Sequence, residues 1–353
     1  MSSQLQKENN KNKSTTQNEQ TSYIKVFCFN ISYGVMFTYI YLLTSISLTL
    51  LNRMLYHKFN FKFNFTLLFL QQVVNLFFFT FIATKSKSFT SQAGEISFND
   101  FLKLKYYYLI FSFIFTINCL SSFIGNQLVT NTAMFLTLRK LCTIMNYLYD
   151  LFINKKTLPS YFPLSVIMLT FGTIFTGYDD LSSDKIGYVV VLINNILSVA
   201  YGQITDQFKK KTGVTNLKLL IYNSYISTPF LFMGMILKGE VNGIRLYIND
   251  DNKDEMFLVK VCLLIGTSCL FGMILNSSYF ISNEKNSSLF TQMVSNCKDI
   301  FLSLLSLGVL KDFKLTKTTG LGLLFSSGGA FVFSAKSIKE NLMRNKDKDK
   351  KEK

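Results

Sequence analysis

The sequence predicts an all-α polytopic membrane protein of ten transmembrane helices, arranged as a five-plus-five inverted repeat. Three observations predict it. Apolar residues come in long blocks bounded by short charged segments. Blocks in the two halves match at a nearly constant offset. The few charges inside the blocks fall on matched segments. The chain has 353 residues, of which 49% are hydrophobic, more than a water-exposed surface of that size accommodates.

A bilayer core takes roughly 20 apolar residues per helix. Uncharged runs at 26–52, 63–84, 157–178, 186–205, 219–237, 261–283 and 318–335 are clean spans. The run 106–138 is too long for one helix and breaks at the polar residues Gly125-Asn126-Gln127 to Thr130-Asn131. It yields a third span at about 106–125 and a fourth at about 131–152. The stretch 286–310 is the ninth and carries charge. Repeat one then covers about 26–178 and repeat two about 186–335 within a transmembrane domain at 26–335. Residues 1–25 are polar, carry no cleavable signal peptide and are expected to be a disordered cytosolic tail. Residues 336–353 form a basic cytosolic tail.

The net charge of +16 follows membrane topology rather than nucleic-acid binding. Of the 37 Lys and Arg, 23 fall in the two tails and the even-to-odd loops, and 11 in the opposite loops. The bias puts both termini in the cytosol. The acidic run at 250–255 then falls on the lumenal side. Six cysteines lie unpaired in apolar stretches, which argues against a disulfide framework or a metal site. His57 is the single histidine and sits in a loop, so chemistry needing two histidines is excluded. No cofactor or nucleotide-hydrolysis motif is present, and the chain reads as a non-enzyme.

The repeat is clearest between the fourth and ninth spans. Asn131-Thr-Ala-Met-Phe135 aligns with Asn286-Ser-Ser-Leu-Phe290, Leu138 with Met293 and Cys142 with Cys297, all at an offset of 155. Gly172 meets Gly329 at 157, and Gln71-Gln72 meets Asn223-Ser224 at 152. With five helices per half, the halves insert in opposite orientation, as in alternating-access carriers.

Charge deep in a span costs roughly 3 kcal/mol or more unless it faces a cavity or a counter-ion. Arg139, Lys140 and Asp150 lie in the fourth span, and Lys298 and Asp299 in the ninth. Ser288, Thr291, Ser295 and Lys298 share one helical stripe; Arg139, Thr143, Asn146 and Asp150 share another. Two such stripes describe a wet cavity with a positive centre, suited to phosphate. An intramembrane salt bridge of Arg139 or Lys140 with Asp299 is the alternative. In the seventh span, Tyr222-Asn223-Ser224-Tyr225 offers stacking faces and an amide able to pair with a base edge, or else links helices.

These pieces resemble the nucleotide-sugar transporters of the drug/metabolite transporter superfamily. The resemblance is strongest to the branch carrying UDP-glucuronate, UDP-N-acetylglucosamine and UDP-N-acetylgalactosamine. Four stretches carry it: Asn131 to Lys140, Asp180 to Asn195, Leu220-Ile-Tyr-Asn223, and Asn286 to Asp299. The resemblance implies antiport of a UDP-sugar, from cytosol to Golgi or endoplasmic reticulum lumen, against the nucleoside monophosphate. It implies a base-side role for Tyr222 and Asn223 and a phosphate-side role for Lys298; the two polar stripes and the buried charges add Arg139, Lys140, Thr291 and Ser295 to the candidate substrate site. Ile221, Ser224 and Ser295-Asn-Cys depart from the GDP-mannose pattern. A GDP-mannose carrier and a triose- or sugar-phosphate exchanger of the same fold remain the alternatives. A membrane enzyme would have only Asp179, Asp180, Asp184 and the 250–255 run to work with. Expected partners are the nucleotide sugar, the monophosphate, membrane lipids and a second copy of the chain. The terminal Lys350-Lys351-Glu352-Lys353 matches a dilysine signal for retrieval to the endoplasmic reticulum, and equally a basic tail touching anionic lipid.

Overall fold

Helices dominate because hydrocarbon offers no partner for an exposed peptide group, so each span must satisfy its backbone internally. The computed structural model describes residues 23–26, 29–85, 98–153, 155, 161–178, 185–250, 254–285, 298–299, 301–303, 305, 308 and 316–332. Thr291, Ser295, Lys350, Lys351 and the 286–297 half of the matched repeat motif lie outside the described residues.

A short antiparallel ribbon comes first, β1 at Tyr23–Val26 paired with β2 at Phe29–Ser32. Its Ile24, Val26, Phe29 and Ile31 favour extended backbone. The first helix, α1 at Tyr33–Arg53, therefore starts later than the uncharged run that announces it. It continues into a π turn at Met54–Lys58. Next come α2 (Asn64–Lys85), α3 (Phe98–Leu128), α4 (Thr132–Phe152) and α5 (Phe162–Tyr178). The predicted break in the long apolar run falls at 129–131, where the Asn131 carboxamide accepts from the Met134 amide at 3.2 Å and caps α4.

The second half holds α6 (Lys185–Thr212), α7 (Asn216–Leu237), α8 (Glu240–Ile248) and α9 (Glu255–Lys285). Helical residues follow at 298–299, 301–303, 305 and 308, and a last helix, α10, at 317–332. The short α8 occupies a stretch read from sequence as loop. Five helices among the described residues are long and apolar enough to cross a membrane: Asn64–Ile82, Phe101–Leu128, Lys185–Lys209, Lys218–Leu237 and Glu255–Tyr279. Pro163–Tyr178 is a shorter apolar helix.

Helix pairing positions the site. The most extensive packing joins α1 to α9 and α3 to α6, followed by α2 with α7. Further contacts join α4 to α6, α9 to α2, and α3 to α7. Small residues let helices approach where packing replaces the hydrophobic effect. A Cβ on Gly172 of α5 would stand 2.5 Å from the Ser326 backbone nitrogen of α10, so the two helices cross backbone to backbone.

Polar contacts tie the ends of the bundle. Arg53, fully buried, donates to the carbonyls of Thr130 (2.9 Å) and Val129 (3.1 Å), satisfying acceptors left by the end of α3. Buried Glu240 accepts from the amides of Phe65 (3.2 Å) and Thr66 (2.8 Å) and from the Thr66 hydroxyl (2.8 Å). A carboxylate on the first turn of α2 is also favoured by the helix dipole. The Tyr247 hydroxyl donates to the Phe59 carbonyl at 2.6 Å, and burial raises its pKa above the usual phenol value. Burial, with the Glu240 charge adding to it, raises that of Tyr56 as well.

Candidate functional site

A cluster of buried apolar residues gathers α1, α4, α6 and the 298–308 segment: Ile46, Phe135, Leu138, Val191 and Leu302 belong to it. Leu302 is one helical turn beyond Lys298, so this packing holds Lys298 against α1. The Lys298 ammonium donates to the Ser45 hydroxyl at 2.9 Å and lies 5.8 Å from the centre of the Tyr41 ring. Tyr41 in turn meets Tyr279 of α9, ring centres 5.5 Å apart. One turn away, the hydroxyls of Thr38 and Ser282 share a hydrogen bond of 2.6 Å.

Arg139 and Lys140 are neighbours in sequence and diverge in space, since successive helix positions are about 100° apart. Lys140 is buried and donates to the hydroxyls of Ser326 (3.3 Å) and Ser327 (3.1 Å) on α10. The Asp299 charge acts on it from farther off. Arg139 is exposed, with its guanidinium carbon 5.8 Å from the centre of the Phe135 ring. Arg53 approaches that ring as well, at 5.2 Å. Among the described residues, neither the Lys140 nor the Lys298 ammonium has a carboxylate within 4.0 Å; hydroxyls hold both. A hydroxyl orients an ammonium without supplying a counter-charge.

Tyr222 and Asn223 lie apart from these cations in their packing. Tyr222 packs in an aromatic cluster, 4.6 Å from Tyr108 and 6.0 Å from Phe101 between ring centres. Asn223 is buried, and its Oδ1 has no hydrogen-bond partner among the described residues. Three more residues in the α2–α7 contact share that condition: Gln72 through Oε1, Asn75 through both amide atoms, and Ser227 through Oγ. A buried polar atom without a partner costs about 1–3 kcal/mol, which makes such a group a place where a ligand or water belongs.

No protein-family model matches the chain. Curated proteins do. The chain is 25% identical over 222 residues to the UDP-sugar transporter sqv-7 of Caenorhabditis elegans, covering 63% of this chain and 66% of that one. It is 23% identical over 205 residues to the UDP-galactose/UDP-glucose transporter 7 of Arabidopsis thaliana, covering 58% and 62%. The GDP-mannose transporter GONST2 of Arabidopsis thaliana is 24% identical over 228 residues, covering 62% and 58%. These relatives are nucleotide-sugar transporters. The chain spans just under two thirds of the length of the first two. Nucleotide-sugar transporters are integral membrane carriers rather than enzymes, in keeping with the apolar helices found here.

Sequence reasoning singled out the cations Arg139, Lys140 and Lys298 as candidates and missed the residues that contact them. Tyr41, Ser45, Ser326 and Ser327 are ordinary components of apolar spans, and nothing in their spacing marks them. Asn75 did carry a signal, as a carboxamide inside the uncharged run 63–84.

Proposed function

We propose that the chain is an antiporter that carries a UDP-sugar from the cytosol into the Golgi or endoplasmic reticulum lumen and returns the nucleoside monophosphate. The observation that carries this reading is the pair of ammonium groups, Lys140 and Lys298, held by hydroxyls inside the bundle. They suit a diphosphate, which takes Lys as a point charge. Arg139, exposed beside Phe135, adds a bidentate donor. Tyr222 and Asn223 serve the base side, and Thr291 and Ser295 extend the Lys298 stripe.

The pattern of helix pairing supports an inverted repeat. Exchanging each span for its partner five places on turns the α1–α9 contact into α6–α3, and the α9–α2 contact into α3–α7. The α2–α7 contact maps onto itself. All of these pairs pack in the structure. Two inverted halves that rock about a central site are the usual basis of alternating access. On this reading both termini face the cytosol, and Lys350 and Lys351 act in retrieval to the endoplasmic reticulum.

Reconstitution tests the proposal. Uptake of a labelled UDP-sugar into liposomes should rise several-fold when UMP is loaded inside. Equal uptake into empty liposomes would make the protein a uniporter or channel. A preference for GMP with GDP-mannose would select the second reading, which a relative named for that substrate keeps in view. Exchange of triose or sugar phosphates alone would select the third.

A further inference from the structure

We infer that Gln72 and Asn75 of α2 join Asn223 and Ser227 of α7 as a reading surface for the polar edge of a nucleobase, closed in this structure and opened when the two helices part. The inference rests on the nucleotide-carrier reading above and adds α2 residues and Ser227 to it.

Placement comes from the packing of the two helices. Phe65, Phe69, Gln72 and Phe79 follow one another at helical steps of four, three and seven, and so share a face of α2. Leu220, Asn223, Ser227 and Gly234 do the same on α7, at steps of three, four and seven. The two faces meet. Phe79 packs with Leu220 at one end, and the Phe65 ring lies against Gly234, where a Cβ would collide with it, at the other. Phe69 contacts Phe232, ring centres 5.6 Å apart, and Thr80 shares a 2.9 Å hydrogen bond with Tyr225. The helices thus run antiparallel, with Gln72 and Asn75 level with Ser227 and Asn223, near the middle of both. Midplane sites at the interface of repeats are where carriers bind substrate.

The state of these four side chains contrasts with that of the polar residues that link α3 to α6. Between α3 and α6, Asn194 donates to the Asn118 carbonyl, the Asn118 side chain and Ser121, at 2.8, 3.0 and 2.9 Å, and Ser198 donates to Asn118 at 2.8 Å. That contact is saturated. In the α2–α7 seam, Gln72 Oε1, Asn75 Oδ1 and Nδ2, Asn223 Oδ1 and Ser227 Oγ are all buried and all without a hydrogen-bond partner among the described residues. None can reach water while the seam is shut. Their chemistry selects the occupant. No charge is present, so phosphate is a poor match. Carboxamides set a donor beside an acceptor, as the edge of a base requires. Phe69 and Phe79 on the same stripe offer flat faces, which suit a planar ring better than a puckered sugar.

The test uses the purified full chain with Gln72→Met, Asn75→Leu and Ser227→Ala. Thermal stabilisation is titrated with UMP, CMP, GMP and pyrophosphate. These monophosphates differ only in the base, and pyrophosphate has none. Expected is a melting temperature without ligand equal to or above that of the unchanged protein, because a partnerless polar group has been removed. The affinity ratio between the best and worst base should fall at least tenfold, with pyrophosphate binding unaltered. The inference is overturned by an unchanged base ratio in all three variants, or by a loss that pyrophosphate shares. A lower ligand-free melting temperature in both Gln72→Met and Ser227→Ala would overturn it too, by making the groups structural. An unchanged protein that binds nucleotides without base preference also overturns it. If the unchanged protein responds to no nucleotide, the carrier reading fails as well; if it responds and the variants keep its preference, only this inference fails.

Discussion

Lys298 donates to the hydroxyl of Ser45, 253 positions earlier in the chain, at 2.9 Å, with the Tyr41 ring beside it. This contact joins the charged ninth segment to the first helix through a neutral acceptor. A carboxylate in the place of Ser45 would have cancelled the charge. The hydroxyl supplies no counter-charge, so on the proposed reading the ammonium stays open to a phosphate.

Lys298→Ala should weaken nucleotide-sugar and nucleotide binding together. A charge-assisted contact to phosphate contributes about 1.5–3 kcal/mol, equivalent to roughly 10- to 150-fold in affinity. Removing Lys298 strands no acid among the described residues, so the melting temperature without ligand should stay near that of the unchanged protein. Ligand titrations of thermal stability measure both quantities. A destabilised variant that still binds normally would assign Lys298 to the fold instead.

Glu240→Ala removes the carboxylate that accepts from the Phe65 and Thr66 amides. Loss of a capping acceptor should cost about 1–2 kcal/mol of stability. The expected readout is a lower melting temperature, with Glu240→Gln intermediate because a neutral oxygen still accepts. Equal stability in all three proteins would mean that water replaces the cap.

Gly172→Leu should disrupt the α5–α10 crossing, since even a Cβ would stand 2.5 Å from the backbone of Ser326. Overpacking of this kind costs typically 1–3 kcal/mol, and backbone cannot yield as a side-chain tip does. Detergent-solubilised yield and melting temperature should both fall. A variant of normal stability would show that the two helices separate without penalty.

Both termini should be cytosolic, on the evidence of the Lys and Arg distribution. Protease protection of tagged chains in sealed vesicles checks this directly. Protected tags at both ends would invert the assignment and place Glu240 and Tyr247 on the cytosolic side, and a protected tag at one end alone would overturn the even count of spans.

Much of the helical framework was legible in the residues. Lys62 and Lys85 bracket α2, and the polar run ending at Asn131 marked the start of α4, because charged and polar residues interrupt an apolar span. Three candidate cations were conspicuous for a similar reason: Arg139, Lys140 and Lys298 carry charge inside apolar spans, where charge is costly. The late start of α1 and the existence of α8 were not. Both depend on local pairing and packing that span-counting ignores.

By itself, then, the sequence determined a membrane-spanning helical chain, the depth of its charges and the near-constant offset between its halves. Those are properties of a segment facing a uniform apolar solvent, and each segment carries them alone. Only the tertiary structure decided that Lys140 ends on Ser326 and Ser327, that Lys298 ends on Ser45, and that the polar face of α2 meets that of α7 with carboxamide oxygens unpartnered among the described residues. Apolar helices look alike in composition, so their pairing is settled by the shape of the surfaces in contact. Gly172 against Ser326 and Gly234 against Phe65 are two such fits between residues far apart in the chain.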